Sequence, residues 1–270
     1  MLKKELYRAF FNKRMGLIII LSLSLLYFSA YKNFLNSFYF IDKNADDLTP
    51  EALSDILEIG SNTYHIWYQS YSFLQMLFVL IAVYPFASSY VYEKNVGFHY
   101  LCIIRCGHFN YRFKKLLATG IAGGMALFIP SLIYLGAISL FFNNQILSKF
   151  EFQPSGLFSN IFNQSPFSYI MIVLIMHFVL GFSIAIFAMG VTSFSSKVIL
   201  VYVIPFALYL TFDILLSNIS GLDKFTLTSM YYLMSSEGVK FANFLIVNAI
   251  LILVGALTFY FNYKWELKYG

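Results

Sequence analysis

The chain has 270 residues, of which 59% are hydrophobic, 20% aromatic and only 11% charged, with a mean hydropathy of +0.71. Soluble globular domains stay near half apolar, so this composition excludes one and requires an integral membrane protein. The formal net charge of +5 comes from cations beside apolar runs rather than from a continuous basic stripe, which argues against nucleic acid as a partner and points to membrane orientation.

The chain opens with MLKKELYRAFFNKR, in which Leu2, Leu6, Ala9 and Phe10 share one helical face and Lys4, Arg8 and Asn12 the other. That pattern predicts an interfacial elbow helix over residues 1–14, the alternative being a merely basic tail. The first apolar run leads into an aromatic, lysine-containing stretch and further spans, unlike a cleaved secretory signal, so the N-terminus is expected to be retained. A spanning helix needs about 20 mostly apolar residues. Six runs qualify, at about 15–35, 66–91, 114–142, 167–194, 197–217 and 240–263. Pro130 and Pro205 fall inside the third and fifth, where neighbouring helices can satisfy the carbonyls that a proline frees. Between the first two spans, the outer loop over 36–65 contains LTPEALSDILEIG. It reads as a short helix with Thr49 as N-cap, Pro50 first, Glu51 and Asp55 toward the positive end and Gly60 as terminator. The loops at about 143–166 and 218–239 are too small for a separate domain. Residues 1–270 are therefore expected to form one all-α transmembrane domain of six helices.

Placing the N-terminus in the cytoplasm puts Lys3, Lys4, Arg8, Lys13, Arg14, Lys94, Arg105, Arg112, Lys114, Lys115, Lys197, Lys264 and Lys268 there, 13 of the 18 Lys and Arg. The positive-inside rule selects this orientation, with both termini cytoplasmic in a bacterial-type plasma membrane. Asp42, Asp46, Asp47, Glu51, Asp55, Glu58, Glu151, Asp223 and Glu237 then lie on the outer side.

Enzymatic signatures are missing. GxxxxGK[ST], whose glycine-rich turn would cradle phosphates, is absent, as are HExxH and GxSxG. His99, Cys102, Cys106 and His108 offer nitrogen and sulfur ligands, but their spacing fits no zinc pattern, and packed free thiols without a metal are expected. Within the spans, Gln75, His177 and Asn248 read either as interhelical hydrogen bonds or as substrate contacts. Tyr202, Phe206, Tyr209 and Asp213, at spacings of four, three and four, share one helical face. They form either the wall of an outward path or a packing seam. Gly120 with Gly124, and Gly181 with Ala185, have the small-xxx-small spacing of close helix crossings, within one chain or between two.

The segment YEKNVGFHYLCIIRCGHFNYRFKK, residues 92–115, carries five Lys or Arg, two His and one Glu between two apolar runs. Phe98, Leu101, Cys102 and Arg105 recur at helical spacing, Gly107 breaks the pattern, and FNYRFKKLL leads into the third span. A loop that only anchored the protein would not need Phe98, Tyr100, Leu101, Cys102, Ile103, Ile104 and Cys106 together; such a surface suggests a partner.

An interfacial helix, a span, an outer loop, a second span ending in Glu93-Lys94-x-x-Gly97, an amphipathic helix and a basic lead into the third of six spans together resemble the permease subunit of an ABC-2-type ABC transporter. The resemblance covers the whole chain as architecture and residues about 84–117 as a motif. It implies that residues 92–115 form a coupling helix docked on a separate ATPase subunit, with Glu93, Lys94, Gly97, Phe98, Leu101 and Arg105 at the contact. It further implies two permease chains, identical or not, working with two ATPase chains that hold the ATP and magnesium, so that this chain binds no cofactor and is not itself an enzyme. An amphipathic peptide, lipid or drug is the substrate class implied. Spans two and five would flank the path, which brings forward Tyr68, Ser72 and Gln75, expected on one face of span two, beside Tyr202, Phe206, Tyr209 and Asp213. Departing from the commonest family pattern, Phe98-His99-Tyr100 stands where the family glycine is followed by Thr and a leucine-rich run. The competing readings are an ATP-independent secondary transporter or channel, which would normally show paired intramembrane carboxylates or an inverted repeat, and a membrane scaffold without a path.

Overall fold

The structure, a computed structural model, describes residues 2–41, 49–145 and 154–269, and among them it is helical with no strand. Asp42, Asp46, Asp47 and Glu151 of the acidic outer set lie outside the described residues. The first two helices, α1 (Leu2–Phe10) and α2 (Lys13–Ala30), meet at Asn12. Its side-chain amide donates to the carbonyls of Arg8 at 2.9 Å and Ala9 at 2.7 Å, while its Oδ1 accepts from the Met15 amide at 2.7 Å. One side chain thus satisfies the end of one helix and the start of the next, which makes the elbow. The expected elbow helix therefore ends at Phe10, and Asn12 acts as a cap rather than as part of a polar face.

Helix α2 continues through a π-helical turn, Tyr31–Leu35, into α3 (Asn36–Tyr39). The outer helix α4 (Pro50–Gly60) has the expected Thr49 cap, with Oγ1 accepting from the Ala52 amide at 3.2 Å. Gly60 is its last residue, and the Ser61 amide closes it on Leu57 O at 3.1 Å.

The second expected span, 66–91, is not one helix. It is α5 (Thr63–Gln69) and α6 (Leu74–Val83), bent by 75° at the break, followed after a turn by α7 (Ser89–Asn95). Side chains of the first span satisfy the broken backbone: Ser29 Oγ donates to Gln69 O at 3.1 Å and Asn33 Nδ2 to the same carbonyl at 3.2 Å. Non-helical backbone survives in an apolar setting where protein groups replace water in this way. Helix α8 (Phe98–Cys106) and the 34-residue α9 (His108–Phe141) follow, then α10 (Ser159–Gln164), α11 (Pro166–Thr192), α12 (Leu200–Ser217), a 3₁₀ turn at Asp223–Phe225, α13 (Leu227–Tyr231) and α14 (Phe241–Tyr269).

Five stretches among the described residues are long and apolar enough to cross a membrane: Lys13–Leu35, His108–Phe141, Pro166–Thr192, Leu200–Ser217 and Phe241–Asn262. The bent pair α5–α6 makes a sixth if it counts as one span. The chain is a helical, multi-pass membrane protein. At 1.5 Å per residue α9 is about 51 Å long, well beyond a hydrocarbon core of about 30 Å, so its charged first turns need not enter that core.

The core is organised around α11, which packs against α9, α14, α12 and α6. Glycines set the closest crossings. A Cβ on Gly123 would fall 2.4 Å from Ala185 Cβ and 2.7 Å from Gly181 O, and one on Gly190 would fall 2.0 Å from Gly255 O. Gly120 and Gly124 face the Phe182 and Phe178 rings, so both small-xxx-small pairs are used inside the chain, between α9 and α11. At the end of α9 remote from the charged segment, Asn143 exchanges backbone bonds with Ser61 (2.8 Å) and Thr63 (2.9 Å), and Asn62 Nδ2 reaches Gln145 O at 2.8 Å.

Gly190→Ala should therefore lower stability by about 1–3 kcal/mol, the usual range for overpacking. Gly16→Ala, with open space at its Cβ, should leave it unchanged or slightly higher. Thermal unfolding of both variants in one detergent checks the contrast.

Candidate functional site

Residues 92–115 fold as the end of α7, a left-handed Gly97 at φ 71°, α8, and Gly107 at φ 76° and ψ 152° leading into α9. Both glycines hold backbone conformations costly for other residues, Gly107 in a region that is essentially glycine's alone. Helix α8 has two distinct faces. His99 and Ile103, one turn apart, are buried against the body, while Phe98, Tyr100, Leu101, Ile104 and Arg105 are exposed. Ile104 is 81% exposed, so the helix displays apolar surface rather than covering it. Lys94 is partly exposed beside this face.

Behind α8 lies a buried cluster of charge. The ammonium of Lys115, fully buried, sits 2.8 Å from Glu5 Oε2 and 2.7 Å from Glu93 Oε1. Arg8 Nη1 closes the ring at 3.0 Å from Glu5 Oε1 and 2.8 Å from Glu93 Oε1. Tyr111 Oη donates to Glu93 Oε2 at 2.6 Å, and the Phe86 ring lies 4.6 Å from the Lys115 nitrogen. Two buried carboxylates are balanced by the buried Lys115 and by Arg8, which closes the cluster from its exposed edge. Burial works against the Glu93 carboxylate, but Lys115, the hydrogen bonds from Lys115 and Tyr111, and Arg8 outweigh it and hold its pKa below the ordinary value.

Arg112, one helical turn from Lys115, is buried as well. It donates to Tyr90 Oη at 2.8 Å, Phe259 O at 3.0 Å and Asn262 Oδ1 at 3.2 Å, beside the packed Tyr90 and Phe259 rings. Asn262 also donates to Ser193 O at 3.3 Å, so this guanidinium ties α9 to α7, α14 and the end of α11. Of the basic residues in the segment, Arg112 and Lys115 are therefore internal ties and not surface charge. Glu93, expected at a partner contact, is 2% exposed and acts from behind that surface.

Cys102 and Cys106 are half-buried free thiols. Burial, then the Glu93 and Glu5 carboxylates, push the Cys102 thiol up, away from thiolate chemistry. Among the described residues no group of three or more His, Cys, Asp or Glu is placed to hold a metal.

The residues expected along a path separate into different places. Tyr68 belongs to α5, Ser72 to the break and Gln75 to α6, so the bend removes the single helical face their spacing predicts. Tyr68 Oη bonds Ser235 Oγ, and Ser72 Oγ meets Ser29 Oγ at 2.7 Å and accepts from Asn33 at 2.8 Å; Gln75 is half-buried. Tyr202 donates to Ser88 Oγ at 2.8 Å beside Arg14, Phe206 packs on the core, Tyr209 meets Thr228 Oγ1 at 3.0 Å, and Asp213 accepts from the amides of Leu227 (2.8 Å) and Thr228 (3.1 Å), capping α13. Asn248 bonds Ser183 across α14 and α11, and His177 Nε2 meets Tyr231 O at 2.8 Å with the rings stacked. Sequence reasoning passed over Glu5, Lys115, Arg112 and Asn262. The signal was present: Glu5 lies within the Leu2–Leu6–Ala9 stripe, and Lys115 shares the face of Ala118 and Ala122.

Lys115→Met should cost about 3–5 kcal/mol, because it leaves two buried carboxylates under-compensated. Adding Glu5→Gln and Glu93→Gln should recover part of that loss. Since the folded pKa of Glu93 is depressed, its contribution is present at neutral pH and lost as pH falls through that folded value. Glu93→Gln should flatten the acid side of a plot of thermal midpoint against pH.

No family model matches the chain, and neither a curated protein nor a solved structure does so.

Proposed function

We propose that the chain is the membrane-spanning subunit of an ATP-driven exporter of the ABC-2 type, and that α8 is its docking element for a separate ATPase. The observation carrying this reading is the two-faced α8. Its inner face is fixed on the body by His99, Ile103 and the charge cluster, while Phe98, Tyr100, Leu101 and Ile104 stand exposed with Arg105. Apolar surface of that kind beside a charged segment is characteristic of a partner site, with aromatic and aliphatic anchors and a basic rim. In this reading α8 lies in the cytoplasm with both termini. Nucleotide and magnesium belong to the partner, two copies of which serve two membrane chains. Glu93 positions the docking helix, Phe98, Leu101 and Ile104 fill the partner's groove, and Arg105 and Lys94 meet its acidic rim.

A second reading, a membrane subunit without a path, is favoured by one observation: Tyr202, Tyr209 and Asp213 spend their polar groups on contacts within the chain. Transport of an amphipathic substrate separates the two. Tyr209→Phe removes only the hydroxyl contact to Thr228, and loss of transport with assembly intact would exclude a purely structural seam.

Ile104→Asp, at an 81% exposed position, should abolish co-purification of a P-loop ATPase from the native host while leaving the thermal midpoint within the roughly 0.5 kcal/mol expected for a surface change. Undiminished ATPase recovery with the Ile104→Asp protein would remove α8 from the docking role.

A further inference from the structure

Helices α12 and α14 both lean on α11, and between them lies a groove of about 750 Å³. Its floor is Ile184, Phe187 and Val191 of α11, and its walls include Leu208, Phe212 and Leu216 of α12 and Ile246, Ile250 and Val254 of α14. Leu222, Phe225 and Leu227, before and within α13, roof one end. The sole charged residue in the lining is Asp213, and both of its oxygens already accept backbone amides. The groove therefore has almost nothing to offer a polar group.

We infer that this groove binds one hydrocarbon chain of a bilayer lipid, drawn from the leaflet on the α13 side. Three features select that occupant. The volume lies in the usual range of small-molecule sites, about 300–1,000 Å³, yet the lining lacks the convergent polar groups that such sites use to orient a polar ligand. Along α12 the lining runs from Pro205 to Leu216, a rise of about 16 Å, or roughly half of a 30 Å hydrocarbon core, which is the reach of one leaflet's chain. The rims are exposed on the face that the apolar composition turns to lipid, with Phe212 54% and Ile250 53% exposed, so a chain can enter sideways without passing the α13 roof. The lining gives water too few polar partners to hold it, and in a membrane the lipid chain is the solvent at hand. The inference requires a membrane setting but not the exporter reading, and it stands if α8 docks no ATPase.

The test uses the whole protein in vesicles of phosphatidylcholine carrying a photoactivatable group partway along one acyl chain, with labelled residues mapped by mass spectrometry. Label should be enriched at Phe212, Ile246 and Ile250 over Ile20 of α2 and Ile133 of α9, whose exposures of 69% and 46% bracket theirs. That excess should fall in Leu216→Trp, whose ring obstructs the groove beside Leu216, while label at Ile20 is unchanged. Equal labelling of all five positions in the unmodified protein, a measurement that needs no variant to fold, would overturn the inference. So would a disulfide between two copies carrying Phe212→Cys, with Cys102 and Cys106 replaced by Ser, since it would seat a second chain in the groove.

Discussion

An ammonium taken out of water must find its counter-charge inside the protein, because desolvation costs several kcal/mol per ion even after relaxation. Lys115 meets that demand with Glu5 from α1 and Glu93 from the end of α7, and Arg8 restores neutrality. Since the cluster joins three separate stretches, α1, α7 and α9, a single cation fixes where the interfacial helix lies and where α7 ends. The outward face of α8 follows from it. Glu93, His99 and Ile103 already occupy the inward positions of that corner, so the remaining apolar side chains have nowhere within the chain to go. Arg112 repeats the arrangement one turn earlier with neutral partners, the Tyr90 hydroxyl and the Phe259 and Asn262 oxygens, and it joins the same end of the molecule to α14.

Apolar surroundings impose a second demand, that every freed backbone group be satisfied by protein. It explains why Ser29 and Asn33, two of the few polar residues in the first span, face the 75° bend between α5 and α6. The π-helical turn at Tyr31–Leu35 contains Asn33 and shifts its side chain toward Gln69 and Ser72. The polar group and the break are therefore one feature distributed over two helices. Asp213 does the same work on the neighbouring α13, where its carboxylate supplies acceptors for the first amides of that helix.

Much of the fold was legible in the sequence because it depends on local rules. Apolar run length gave the five long helices, Thr49-Pro50 gave the start of α4, and Gly97 and Gly107 gave the bounds of α8 to the residue. The bend in the second span was not legible. Residues 66–91 read as one apolar run, and what opens the helix is hydrogen bonding from Ser29 and Asn33, some 40 residues earlier, which no local pattern encodes. For the same reason Tyr68, Ser72 and Gln75, a stripe on paper, end on three different elements. The candidate site was half legible. The exposed face of α8 could be read from Phe98, Leu101 and Arg105, whereas its support lies in pairings separated by as many as 110 residues, between Glu5 and Lys115. The two members of that pair looked like ordinary interfacial charges.

One long helix also closes a mechanical loop. Near its start α9 holds Glu93 through Lys115, and just beyond its far end Asn143 and Gln145 hold residues 61–63, where α5 begins. The bent stretch from α5 to α7 is thus strung like a bow, with α9, helical from His108 to Phe141 despite Pro130, as its string. Any force that draws α8 away from the body loads both anchor points at once, and α9 cannot stretch to absorb it. Between those anchors the stretch is open at two places, the break at residues 70–73 and the turn at residues 84–88 before α7, and these are the joints at which its angle can change.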